Sequence, residues 1–127
     1  MLVVDDDVDT RDLNVIALGM YGATVRTAAT GAEALEAMRR ERFDAIVCDI
    51  GLPDTDGYAF MRNVRALPEA EGGATAAVAL TGYARDEDRR KAKAAGFTLF
   101  VAKPVDTAEL ARVVAKAVYG SGAGTSG

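Results

Sequence analysis

The stretch Met1-Leu2-Val3-Val4-Asp5-Asp6-Asp7 is a short, unbroken apolar run that drops directly into three carboxylates. A strand with one wet face would alternate apolar and polar residues; a run without alternation suits a parallel sheet covered on both faces. Four more short segments have the same character: Thr24–Thr27, Ala45–Cys48, Ala76–Leu80 and Leu99–Ala102. Helical spacing fills the intervals. Leu13, Ile16, Ala17 and Met20 fall at i, i+3, i+4 and i+7 and predict one apolar stripe. Ala34, Leu35 and Met38 repeat the pattern, as do Leu110, Val113, Val114, Ala117 and Val118. A third helix is expected at about Tyr58 to Arg65 and a fourth at about Asp86 to Ala95. Asp106 or Thr107 can cap the last helix, and Gly22, Gly96 and Gly120 stand where the first, fourth and fifth should stop. Strands alternating with helices at this spacing predict an α/β fold: one (βα)5 domain with right-handed crossovers and helices on both faces of a parallel five-stranded sheet. The domain is expected to span residues 1–119, with residues 120–127 forming a flexible Gly/Ser-rich tail.

Composition removes several function classes. The chain has 127 residues, enough for one real core, and half of them are apolar. A net charge of -4 argues against unaided binding to nucleic acid or to an anionic membrane. No apolar stretch approaches the ~20 residues of a membrane span, and no signal peptide precedes the first strand, so a cytoplasmic location is expected. Histidine is absent, which excludes Ser-His, Cys-His and zinc-hydrolase chemistries. The single cysteine, Cys48, lies in an apolar run and reads as a buried thiol in a reducing compartment.

In an open α/β sheet, function collects beyond the carboxyl ends of the strands. Those ends offer Asp5 and Asp6 after the first strand, Asp49 after the third, Thr81 after the fourth and Lys103 after the fifth. Neighbouring carboxylates are tolerated best around a cation, and Mg²⁺ takes one or two carboxylates with waters and phosphate oxygens. Acids, a hydroxyl and an amine at one edge supply what phosphoryl transfer needs: positioning and charge neutralisation more than proton shuttling. An aspartate can serve as the nucleophile, forming an acyl phosphate. Asp7 is expected to begin the first helix rather than touch metal.

The pieces Leu2-Val3-Val4-Asp5-Asp6, Asp49-Ile50-Gly51-Leu52-Pro53-Asp54-Thr55-Asp56-Gly57, Ala79-Leu80-Thr81-Gly82-Tyr83-Ala84 and Ala102-Lys103-Pro104-Val105, in this order, resemble the receiver domain of two-component response regulators. The resemblance implies a flavodoxin-like sheet of order 2-1-3-4-5. It implies that Asp49 is the phosphoacceptor and that Asp5, Asp6, Asp49 and the backbone carbonyl of Gly51 hold Mg²⁺. Thr81 would be the switch hydroxyl, Lys103 the amine that pairs with the phosphoryl group, and Phe100 the aromatic switch, without the hydroxyl many members carry there. A cis peptide before Pro104 is implied as well. The partner would be a sensor histidine kinase or phosphotransfer domain, with output through the surface of the fourth helix, fifth strand and fifth helix. The phrases around Thr81 and Lys103 also resemble receivers attached to hybrid histidine kinases or other multidomain regulators.

The nearest alternative is an aspartate-nucleophile phosphatase of the haloacid dehalogenase type, which shares Asp, Thr, Lys and Mg²⁺. Such enzymes typically place a second Asp two residues after the nucleophile, as acid/base, and here that position is Gly51. A flavin-binding domain is disfavoured because Asp5-Asp6-Asp7 would repel a phosphate at the first loop.

Overall fold

A computed structural model describes residues 1–22, 24–52, 56–82, 85–103 and 106–120. Five strands alternate with five helices: β1 (Leu2–Val4), α1 (Val8–Met20), β2 (Arg26–Ala28), α2 (Gly31–Arg40), β3 (Ala45–Asp49), α3 (Gly57–Arg65), β4 (Ala76–Thr81), α4 (Asp86–Ala95), β5 (Leu99–Ala102) and α5 (Thr107–Ala115). Every pairing is parallel and the order is β2-β1-β3-β4-β5, the flavodoxin-like arrangement. β2 begins two residues later than the apolar pattern predicts. It is an edge strand whose only partner is β1, and the pairing starts at the first residue of β1, Leu2 opposite Arg26. Glu69–Glu71 forms one 3-10 turn, and Lys116–Gly120 continues α5 with π-helical spacing.

The two-residue period of the strands divides the core in two. Leu2, Val4, Ile46, Cys48, Ala77 and Ala79 project to one side, against Met38 of α2, Phe60, Met61 and Val64 of α3 and Ala92 of α4. Val3, Val47, Val78, Leu80 and Val101 project to the other, against Leu18 of α1 and Leu110 and Val114 of α5. Four helix starts are capped by side chains: Asp7, Thr30, Asp56 and Asp106 each accept from first-turn N–H groups. Between the two candidate caps for α5, Asp106 is therefore the one used.

Most of the predicted stripe on α1 does not face the core; of its four residues Ala17 alone is buried. Leu13, Ile16 and Met20 are 51%, 62% and 81% exposed, while Asn14, Ala17 and Leu18 are buried. At the start of the helix Arg11 Nη1 donates to the carbonyl of Asp5 at 3.0 Å. The face carrying Arg11, Asn14 and Leu18, at i, i+3 and i+7, lies toward the sheet, and Leu13, Ile16 and Met20 point outward. The position of Asn14 has a cost, since neither of its buried amide atoms has a hydrogen-bond partner.

Arg65, the last residue of α3, ties three segments together. Its guanidinium donates to the carbonyls of Gly96 (Nε 2.9 Å, Nη2 2.7 Å), Gly73 (3.0 Å) and Thr75 (2.7 Å). Gly96 ends α4 with φ 115°, a left-handed conformation, and a Cβ there would lie 2.6 Å from Arg65 Cγ. The segments leading into β4 and β5 are thereby anchored at the edge opposite the strand-end acids.

Candidate functional site

The five strand-end residues gather at the carboxyl edge of the sheet. Asp5, just past β1, is buried; Asp49 closes β3 and is 9% exposed; Thr81 closes β4 and is 4% exposed. Parallel register decides this meeting. Asp49 pairs with Leu80 and Thr81 with Ala102, so Thr81 lies one step beyond Asp49 and Lys103 one step beyond Thr81. The Lys103 N–H donates to the Thr81 carbonyl at 2.7 Å, which holds the end of β5 against β4.

Lys103 Nζ stands 3.1 Å from Asp49 Oδ1 and 3.9 Å from Asp5 Oδ2. Carboxylate oxygens of Asp5, Asp6 and Asp49 all lie within 4.8 Å of one another, with Asp6 exposed at the mouth. Asp5 Oδ1 accepts the Asp7 N–H at 2.9 Å, whereas its buried Oδ2 accepts no hydrogen bond. Burial, foremost, holds the Asp5 carboxyl above its ordinary pKa; the negative charges of Asp49 and Asp6 push the same way, against the Asp7 N–H and Lys103. An unbonded buried oxygen inside an all-oxygen donor set fits a hard divalent cation. Gly51 borders this site, its N–H 3.4 Å from Asp49 Oδ1. Cys48 is buried on the α2–α4 side, and burial raises its thiol pKa well above the ordinary value, as befits a core thiol.

Three further residues shape the site. Arg11 holds the Asp5 carbonyl, as described above. Asp7 turns away from the acids to cap α1, accepting from the N–H groups of Asp9 and Thr10. Gly57 packs against the exit of β3: a Cβ there would lie 2.7 Å from Ile50 Cα and 2.9 Å from the Asp49 carbonyl oxygen. Its N–H also donates to the Ile50 carbonyl at 2.6 Å. An Asp-Gly pair at a helix start was the visible signal for Gly57, and nothing local signalled Arg11. Phe100 lies on β5 opposite Ala79, half-buried, with the Arg89 guanidinium of α4 5.3 Å from its ring centroid. Pro104 and Tyr83 lie outside the described residues, as does the 121–127 part of the tail.

A parallel sheet with three acids, a hydroxyl and an amine converging beyond its carboxyl edge has the groups that a phosphoaccepting signalling domain needs. The family model for the response regulator receiver domain matches residues 1–115, and the chain belongs to that family. It is 46% identical over 114 residues to an uncharacterized 14.6 kDa protein of Leptolyngbya boryana, covering 90% of this chain and 86% of that one. Among solved structures, the chemotaxis protein CheY4 of Vibrio cholerae is similar at TM-score 0.85 and 31% identity, covering 91% of this chain and 95% of the other. The receiver domain of the sensor histidine kinase PA1611 of Pseudomonas aeruginosa, which has a magnesium ion coordinated in its active site cleft, is similar at TM-score 0.83 and 33% identity, covering 93% and 95%. Other curated relatives are much longer: the chain spans 26% of a transcriptional regulatory protein, 25% of a response regulator and 12% of a sensor histidine kinase. These likenesses support a phosphorylation switch and give no support to a haloacid dehalogenase-type phosphatase. Among the described residues no helix is long and apolar enough to cross a membrane.

Proposed function

We propose that Asp49 is the phosphoacceptor and that the chain takes a phosphoryl group from a phosphohistidine of a sensor kinase or phosphotransfer domain. The observation that carries this reading is Lys103 Nζ 3.1 Å from Asp49 Oδ1, beside three acids whose oxygens lie within 4.8 Å of one another. A carboxylate oxygen of Asp49 attacks phosphorus, the P–N bond to the donor imidazole breaks, and an acyl phosphate forms. Asp5, Asp6, Asp49 and the backbone carbonyl of Gly51 would hold Mg²⁺, which when bound neutralises charge on the phosphoryl oxygens. Lys103 pairs with one of those oxygens as a point charge, and the Thr81 hydroxyl donates to another. Drawing Thr81 inward alters the space beside Phe100, and the ring turns toward it. The surface of α4, β5 and α5 then changes and is read by a downstream partner.

The chain assists its own phosphorylation and dephosphorylation and otherwise acts as a switch, not as a turnover enzyme. Residues 1–119 form the working unit, placed in the cytoplasm, alone or within a larger regulator or hybrid kinase. Incubation with Mg²⁺ and acetyl phosphate, or with a phosphorylated kinase domain, must label the chain. Asp49→Asn must abolish that label; labelling that survives the substitution refutes the assignment.

A further inference from the structure

Phe100 lacks the hydroxyl that would let an aromatic switch report its position through a hydrogen bond, yet its ring is not unattended. The Arg89 guanidinium of α4 lies over it, 5.3 Å from the centroid. Among the described residues that guanidinium enters no ion pair, and the ring is the group it is seen to engage. We propose that Arg89 is a positioning residue for Phe100: by stacking on the ring it holds the aromatic against α4 and sets how readily the ring turns toward Thr81. This rests on the switch reading above.

The strand register explains why the two groups compete for one ring. Phe100 pairs with Ala79, and Thr81, two residues further along β4, projects from the same face of the sheet as Ala79. Across from Phe100 the strand therefore presents only a methyl group, followed by the switch hydroxyl. A ring that turns along the sheet toward Thr81 leaves the position in which Arg89 stacks on it, and the stacking is lost. Arg89 itself is exposed and sits in the first turn and a half of α4, on an element that begins directly after the β4–α4 connection. Any shift of α4 changes the same contact. The ring, the hydroxyl and the helix are thus linked through one cation–π interaction, which takes the place of the missing phenolic hydrogen bond.

A cation stacked on an aromatic ring at an exposed site shifts a two-state equilibrium about two- to fivefold. Linkage passes that factor to any ligand that prefers the inward ring. The test uses protein labelled with 4-fluorophenylalanine, with the Phe100 ¹⁹F resonance assigned by its loss in Phe100→Leu. Three chains are compared: the parent, Arg89→Met, which keeps the aliphatic stem but removes the charge, and Arg89→Lys, which keeps a cation. Each is titrated with beryllofluoride and Mg²⁺, and Asp49 labelling by acetyl phosphate is timed separately. Arg89→Met is expected to move the resonance toward its beryllofluoride-saturated position before any beryllofluoride is added. It is also expected to tighten beryllofluoride binding and speed labelling by about two- to fivefold, with Arg89→Lys falling between it and the parent. If the parent resonance moves on beryllofluoride binding but Arg89→Met leaves both its starting position and the labelling rate unchanged, the proposal is overturned and the switch reading stands. If the parent resonance does not move at all, both fall together.

Discussion

Replacing Asp5 by Asn should make the metal-free protein more stable, although it removes one of the most deeply placed polar groups in the fold. At an effective dielectric of about 20, the Lys103 ammonium 3.9 Å from Asp5 Oδ2 attracts it by about 4 kcal/mol, while an Asp49 carboxylate oxygen no more than 4.8 Å away repels it by at least about 3.5 kcal/mol. Those two nearly cancel, and the exposed Asp6 adds a further, screened repulsion. What remains is the cost of burying a carboxylate whose Oδ2 accepts no hydrogen bond, the same cause that heads the upward shift of its pKa. Asn keeps an acceptor for the Asp7 N–H and carries no charge. The expected gain is about 1–3 kcal/mol, an order of magnitude taken from buried ion pairs exchanged for neutral groups. At about 3–5 °C per kcal/mol for a chain of this size, Tm in chelator should rise by about 3–15 °C.

The pH dependence follows from the direction of the shift. A carboxyl whose folded pKa is raised favours folding when protonated, and that advantage is lost as pH rises through the folded value. The gap in Tm between Asp5→Asn and the parent should therefore be full near neutrality. It should close as pH falls through the raised value toward the ordinary 3.8, because protonated Asp5 then resembles Asn. Asp7, whose cap hydrogen bonds with Thr10 lower its pKa, acts in the opposite sense but is common to both chains and drops out of the difference. Calorimetry in chelator from pH 7.5 to 4.5, then in Mg²⁺, reads all of this. Mg²⁺ should raise the parent Tm and leave Asp5→Asn unmoved. An Asp5→Asn protein that melts below the parent in chelator would show that attraction to Lys103 outweighs burial, and the reasoning would be wrong.

Arg65→Met removes four hydrogen bonds to three carbonyls and should cost about 2–4 kcal/mol, read as a lower urea midpoint with an unchanged slope. Arg65→Lys should recover only part of that loss, since an ammonium cannot span Gly73, Thr75 and Gly96 at once. Gly57→Ala forces a methyl against the backbone of Asp49 and Ile50, so about 1–3 kcal/mol of stability should go. Acetyl phosphate labelling of the folded fraction should slow with it, because the Asp49 carboxylate, the proposed acceptor, is displaced. Arg11→Met should weaken Mg²⁺ binding measured by calorimetry, with Arg11→Lys closer to the parent, because the carbonyl of Asp5 loses its donor.

The strand-end chemistry could be read directly from the amino acids because a parallel sheet imposes it. Unbroken apolar runs have to be covered on both faces, crossovers are right-handed, and polar residues that close such runs have only one edge on which to emerge. Asp5, Asp49, Thr81 and Lys103 were legible for that reason, and so were the limits of α4, whose stop at Gly96 is written in a residue that tolerates φ 115°. The orientation of α1 was not. Periodicity shows that Leu13, Ile16 and Met20 share a face, but which way the face points is decided by packing against other elements, where Asn14, Ala17 and Leu18 are buried instead. Arg89 on Phe100 and Arg65 on Gly96 lie equally beyond local reading, since each joins groups brought together only by packing a helix on the sheet. Local sequence carries the period and the chemistry of each element; the rotation of a helix, the spacing of charges and the burial that shifts Asp5 arise from contacts between elements, and those exist only once the chain has closed.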